Sequence, residues 1–92
     1  MEISVSISYE AINNIYITVG ENKKLLLSNE KKEILASEIL DVLDYKKEQK
    51  YILLPLGKDV EKLDSTNKNY IQQIFEMLET IITGINNKTK DN

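Results

Sequence analysis

A chain of 92 residues, 41% hydrophobic and 29% charged, is long enough for one small core and too short for two ordinary domains. It has no histidine, cysteine or tryptophan, and all 12 of its basic residues are lysines. This removes imidazole acid–base chemistry, thiolate nucleophiles and ligands, disulfides, and the guanidinium fork that grips phosphates. A net charge of −3 disfavours a protein that tracks nucleic-acid phosphates, and no apolar run approaches the roughly 20 residues of a membrane span.

The chain opens with a clean alternation, Ile3, Val5 and Ile7 against Ser4, Ser6 and Ser8, the period of a half-buried strand at about 2–9. Ile15, Ile17 and Val19 repeat it against Tyr16 and Thr18, predicting a second strand at about 14–19. Asn13-Asn14 supplies the turn between them. Gly20-Glu21-Asn22 marks a further turn before a third strand at about 24–28, so the first third reads as a three-stranded antiparallel meander.

The period then changes. Ser28 and Asn29 are competent helix caps and Glu30 suits a helix start. Leu35, Ile39, Val42 and Leu43, with Ala36 and Leu40 at the margins, draw one apolar face of a helix over about 29–46. Tyr51 to Leu56 is apolar but contains Pro55. Proline cannot donate to a ladder, so a short edge strand at about 51–55 is expected, closed by Gly57. Lys58 to Asp64 fits either a helical turn or a loop. Beyond the cap candidates Ser65, Thr66 and Asn67, the residues Ile71, Ile74, Phe75, Leu78, Ile81, Ile82 and Ile85 follow a 3.6 period and predict a long helix at about 67–86. The expected fold is α+β, a single domain over 1–86 with helices on one face of the sheet, followed by a frayed polar tail at 87–92.

On the helix predicted over 29–46, Glu30, Glu33, Asp41, Asp44 and Glu48 project within about 60–80° of one another, with Ser37 between them. They form an acidic ridge with Ile34 and Tyr45 at its margin. Glu30, Glu33, Ile34, Asp41, Asp44 and Tyr45 are therefore the candidate partner-binding residues, able to meet a basic protein or to imitate nucleic-acid phosphates. The plain alternative is the solvated face that any amphipathic helix carries. On the last helix, Asn69, Gln72, Gln73, Thr80, Thr83 and Asn86, interrupted by Glu76 and Glu79, make a weakly charged polar strip. Such a strip is less costly to desolvate than a charged one and suits packing on a second copy.

Asp59, Glu61 and Asp64 offer oxygens to a cation, but their spacing departs from a calcium loop, and no metal site is assigned. Gly57-Lys58 lacks the flanking residues of a phosphate-binding loop. The five tyrosines, Tyr9, Tyr16, Tyr45, Tyr51 and Tyr70, are spread over different elements and form no stacking platform. With no histidine, a serine nucleophile would need a lysine or carboxylate base. No catalytic residue and no cofactor are assigned.

The leading expectation is a small cytoplasmic protein-binding module, an inhibitor, adaptor or accessory factor that acts by occupying a surface of another protein, also forming a homodimer. Phage and plasmid accessory proteins often share this small, acidic, cofactor-free profile. Two alternatives stand beside it. One is a nucleic-acid-binding regulator using lysines of the Gly20 to Lys24 turn and Lys31-Lys32. The other is a minimal enzyme built on a carboxylate pair or a Ser-Lys pair.

Overall fold

In the computed structural model, which describes residues 2–10, 14–44 and 49–90, strands β1 (Glu2–Glu10), β2 (Asn14–Val19) and β3 (Asn22–Leu27) form the expected antiparallel meander. Helix α1 (Ala36–Leu43), strand β4 (Lys50–Leu53), a short 3-10 turn at Lys58–Lys62 and helix α2 (Ser65–Lys90) complete the chain. The sheet order is β3-β2-β1-β4, with β4 running parallel to β1 at one edge. Pro55 falls just beyond the strand, where it costs the ladder no donor.

The alternation in β1 and β2 sorts the sheet into two faces. Val5, Ile15, Ile17 and Val19 point inward and are buried, and they join Ile39 and Leu43 of α1, Tyr51 of β4, and Ile71, Ile74, Leu78, Ile82 and Ile85 of α2 in a single cluster. The opposite face, carrying Ser4, Ser6, Ser8, Tyr16 and Thr18, has no helix upon it among the described residues.

Two local devices fit the sequence to this core. Gly20, at φ +62°, takes the first place of the two-residue link between Val19 and Asn22, a conformation that other L-residues adopt only with strain. The third strand therefore starts at Asn22, two residues before the expected 24. Further along, the β2–β3 register shifts between Ile15 and Tyr16, so β3 carries one extra residue. That bulge lets the consecutive Leu26 and Leu27 both be buried, while Leu25 turns to the outer face and stays 51% exposed. Strict alternation would have buried only one of the pair.

The main departure from the sequence reading is α1, which begins at Ala36 rather than near 29. Ser28 does cap, but only a turn: its carbonyl and Oγ both accept from Lys31 N–H, at 3.1 and 3.2 Å. The reason lies in helical geometry. A helix continuous from 29 would set Ile34 about 140° from Ile39 and hold it away from the core. Breaking the helix before Ala36 lets Ile34 pack against the core instead. The exchange leaves Leu35, expected on the inward face, 57% exposed at the helix entry. There Glu38 secures the start, accepting from Leu35 N–H at 3.4 Å and pairing with Lys31. Asp44 ends the helix in the left-handed conformation, φ 47°, its N–H donating to Leu40 O at 3.2 Å. The expected continuation to 46 lies outside the described residues.

Helix α2 is longer than expected at both ends. Its 26 residues imply a length of about 39 Å, which accounts for the molecule's longest extent of 43 Å. The helix continues to Lys90, through much of the segment expected to fray. Its N-terminus is capped by Asp64 and not by Ser65, Thr66 or Asn67: the Asp64 carboxylate accepts from Asn67 N–H at 2.8 Å, and its carbonyl accepts from Lys68 N–H at 3.0 Å. Asp64→Ala is expected to cost about 1 kcal/mol of stability by removing that cap, measurable as a lowered urea midpoint with an unchanged denaturant slope.

Tyr51 and Asn86 tie the layers together. The Tyr51 ring is buried and its hydroxyl donates to Leu43 O at 2.8 Å, at the end of α1. Tyr51 N–H donates to Asn86 Oδ1 at 3.0 Å, and Asn86 Nδ2 donates to Tyr51 O at 2.9 Å. One side-chain amide of α2 thus satisfies both outward backbone groups of a residue on an edge strand, where they would otherwise lack a ladder partner. Asn86 accordingly leaves the outward polar strip in which the sequence reading placed it.

Candidate functional site

The helices leave an open groove between them. It has a volume of about 450 Å³ and is lined by Ala36 at the start of α1 and by Gln73, Glu76, Met77, Thr80 and Ile81 along α2. Met77 and Ile81 are one turn apart and form the apolar floor, half-buried against the core. Ala36 lines the groove from the α1 side, and Leu40, one turn further along α1, is 46% exposed. Leu35 precedes them at the helix entry. Ala36, Met77 and Ile81 thus give the groove an apolar lining drawn from both helices.

Charge at the groove has one sign. Glu76 is the sole charged residue in its lining. α1 carries Glu38 and Asp41 and no lysine, with Asp44 following, and between Lys68 and Lys88 the charged residues of α2 are Glu76 and Glu79. A neighbouring hollow shares Gln73 and Met77 with the groove and adds Lys32 and Glu33, a balanced pair.

The acidic ridge expected on a continuous helix is not assembled. Asp41 and Asp44 are exposed on α1 and at its end, whereas Glu30 and Glu33 lie in the non-helical segment before it. Ile34, expected at the exposed margin, is half-buried against the core. Tyr45 and Glu48 lie outside the described residues. Asp41 lies about 140° around α1 from Ala36, the residue of that helix that lines the groove, and so faces away from it. Of the polar strip on α2, Gln73 and Thr80 form groove lining, while Asn86 bonds to β4. Period alone could not rank these positions, because the groove exists only once α1 has been placed beside α2.

Two of the four lysines considered for phosphate contacts, Lys23 and Lys31, have local partners. Lys23 pairs with Glu10 and lies 4.8 Å from the centre of the Tyr16 ring, and Lys31 pairs with Glu38. Lys31 and Lys32 border a hollow near the start of α2, where Asp64 already fills the capping role. Among the tyrosines, Tyr51 belongs to the core, Tyr9 and Tyr70 pack against it, and Tyr16 lies on the outer sheet face. Asp59 and Glu61 are exposed in the 3-10 turn and Asp64 is engaged as a cap. Among the described residues no group of three or more carboxylates could hold a metal ion, no charged side chain is buried, and no helix is long and apolar enough to cross a membrane.

No family model matches the chain, and no curated protein or solved structure matches it significantly.

Proposed function

We propose that this is a small cytoplasmic protein-binding module, an inhibitor, adaptor or accessory factor that acts by occupying a surface of another protein through the groove between α1 and α2. The observation that carries this reading is the groove whose apolar floor is the half-buried Met77 and Ile81, with Glu76 in its lining, together with the exposed Leu35 and Leu40 on the α1 side. Leu35 is 57% and Leu40 46% exposed, so full burial by a partner would recover about 1 kcal/mol for each. The alternative of phosphate binding draws less support, because Lys23 and Lys31 sit against carboxylates.

The test is capture from an extract of the source cells on the immobilised protein, run in parallel with a Leu40→Glu variant. Leu40 is exposed, so this variant is expected to fold as the parent does, with an unchanged far-ultraviolet circular dichroism spectrum. A partner retained by the parent and lost from the variant is the expected result. Reproducible retention of nothing, or equal retention by both proteins, would sink the reading.

A further inference from the structure

We propose that the free edge of β3 binds an extended segment of another protein, which joins the sheet as an added strand. This surface shares no residue with the groove lining, and it stands independently of the groove. The starting point is the hydrogen-bond ladder. Gly20 N–H donates to Ser4 O at 2.8 Å, so the main-chain groups of Gly20, and by alternation those of Thr18 and Tyr16, face β1. Those of Val19 and Ile17 therefore face β3, where their register partners are Asn22 and Lys24. Alternation along β3 then turns the N–H and C=O of Lys23 and Leu25 outward, away from the sheet.

β3 is the end strand of the order β3-β2-β1-β4, and among the described residues nothing bonds to those outward groups. Asn22, Lys23, Lys24 and Leu25 are all exposed. The opposite edge differs, because there Asn86 satisfies both outward groups of Tyr51. Open donors and acceptors at strand spacing are matched by an extended backbone, whereas a helix has already used its main-chain groups internally. The ladder itself thus specifies the form of the occupant.

The side chains select among strands. Leu25, 51% exposed on the outer face, lies beside Tyr16 of β2 and offers a packing surface to an apolar residue set opposite it. Lysine on an edge discourages pairing, but Lys23 is drawn back over the Tyr16 ring, 4.8 Å from its centre, toward Glu10. That leaves Lys24, whose effect falls on a second copy. An antiparallel two-fold pair that uses every outward group of Lys23 and Leu25 sets Lys24 directly opposite its own counterpart, and like charges so placed are destabilising. A different segment, with an apolar residue opposite Leu25 and no basic residue opposite Lys24, meets no such repulsion.

The probe is a fluorescein-labelled peptide of about ten residues that alternates valine and threonine, with glutamate at each end. A second peptide has the same sequence with its central main-chain nitrogens methylated, so that neither of its edges can donate. Fluorescence anisotropy with the full chain is expected to show saturable binding of the first peptide and none of the second. Leu25→Pro removes an outward donor while sparing the β2–β3 ladder, and should weaken binding about tenfold. Leu40→Glu, on α1, should bind the peptide as the parent does. Amide hydrogen exchange gives the residue-level readout: Lys23 N–H and Leu25 N–H should gain protection when peptide is added, whereas Lys24 N–H, which faces β2, should change little.

The proposal is overturned by no binding of the unmodified peptide, by equal binding of both peptides, by protection gained at residues other than Lys23 and Leu25, or by a dimer in light scattering that Leu25→Pro dissociates. Loss of binding in Leu40→Glu would move the site to the groove and overturn it equally. Should Leu25→Pro fail to fold by circular dichroism, the methylated peptide and the exchange pattern decide the matter on the parent protein.

Discussion

Leu78→Ala is expected to lower the stability of this protein by about 2–5 kcal/mol, through the lost transfer of the side chain and the cavity it leaves. Leu78 is fully buried in α2, within the cluster that joins the sheet to both helices. A domain of this size has a total stability on the order of 5–14 kcal/mol, so one truncation removes a large share of it. Leu40→Ala is the matched control. It deletes the same atoms from a helix of the same layer, but at an exposed position, and is expected to stay within about 0.5 kcal/mol of the parent. Urea unfolding decides the comparison: the Leu78 variant should show a markedly lower midpoint, and the Leu40 variant a near-parental one. Equal losses would mean that the α1–α2 groove is closed in solution.

Asn86→Ala is expected to cost about 2–3 kcal/mol, since it removes two hydrogen bonds and strands both backbone groups of Tyr51 at a half-buried edge. The two distances, 3.0 and 2.9 Å, indicate a well-formed pair. Asn86→Asp tests the geometry more sharply. It keeps an acceptor for Tyr51 N–H but sets a carboxylate oxygen against Tyr51 O, so it should destabilise at least as much despite its nearly identical shape. Amide hydrogen exchange provides a local readout: protection of Tyr51 N–H should fall in both variants well beyond the global change. A cost below about 0.5 kcal/mol for Asn86→Ala would show that water replaces the amide without loss.

Tyr51 makes the same point from the other side of the strand. Its hydroxyl ties β4 to the end of α1 while its backbone ties β4 to α2. A four-residue strand at a sheet edge is thereby fixed by side chains from both helices. This bracing supplements a ladder to β1 that runs over four residue pairs.

How much of this could be read from the residues differs by element. The serine and isoleucine alternation of β1, the second strand, and the periodic isoleucines of α2 were legible because side-chain direction in strands and helices is set by local backbone geometry. Pro55 marked an edge strand for an equally local reason. The same reasoning misjudged the start of α1, because every residue from Glu30 to Leu35 tolerates a helix. Whether Ile34 or Leu35 enters the core depends on where Tyr70, Ile74 and Met77 lie, some forty residues away in the chain. By residue type Asp64 offers an oxygen to a cation, whereas in the fold it caps α2. Asn86 was read as surface and proved to be a brace, although an amide beside Ile82 and Ile85, on a helix facing an unfinished sheet edge, was a usable signal.

The candidate contact face divides along the same line. Composition alone limits specificity to shape, carboxylates, lysines, tyrosines and backbone edges, because imidazole, thiol and guanidinium are absent throughout. Which of those groups share a surface is a separate matter. The placement of β4 beside β1, the break before Ala36, the loss of the continuous acidic ridge and the groove holding Glu76, Met77 and Ile81 all follow from packing between distant segments. Local periodicity fixes which way a side chain points from its own element. Only the packing of one element on another decides what it meets.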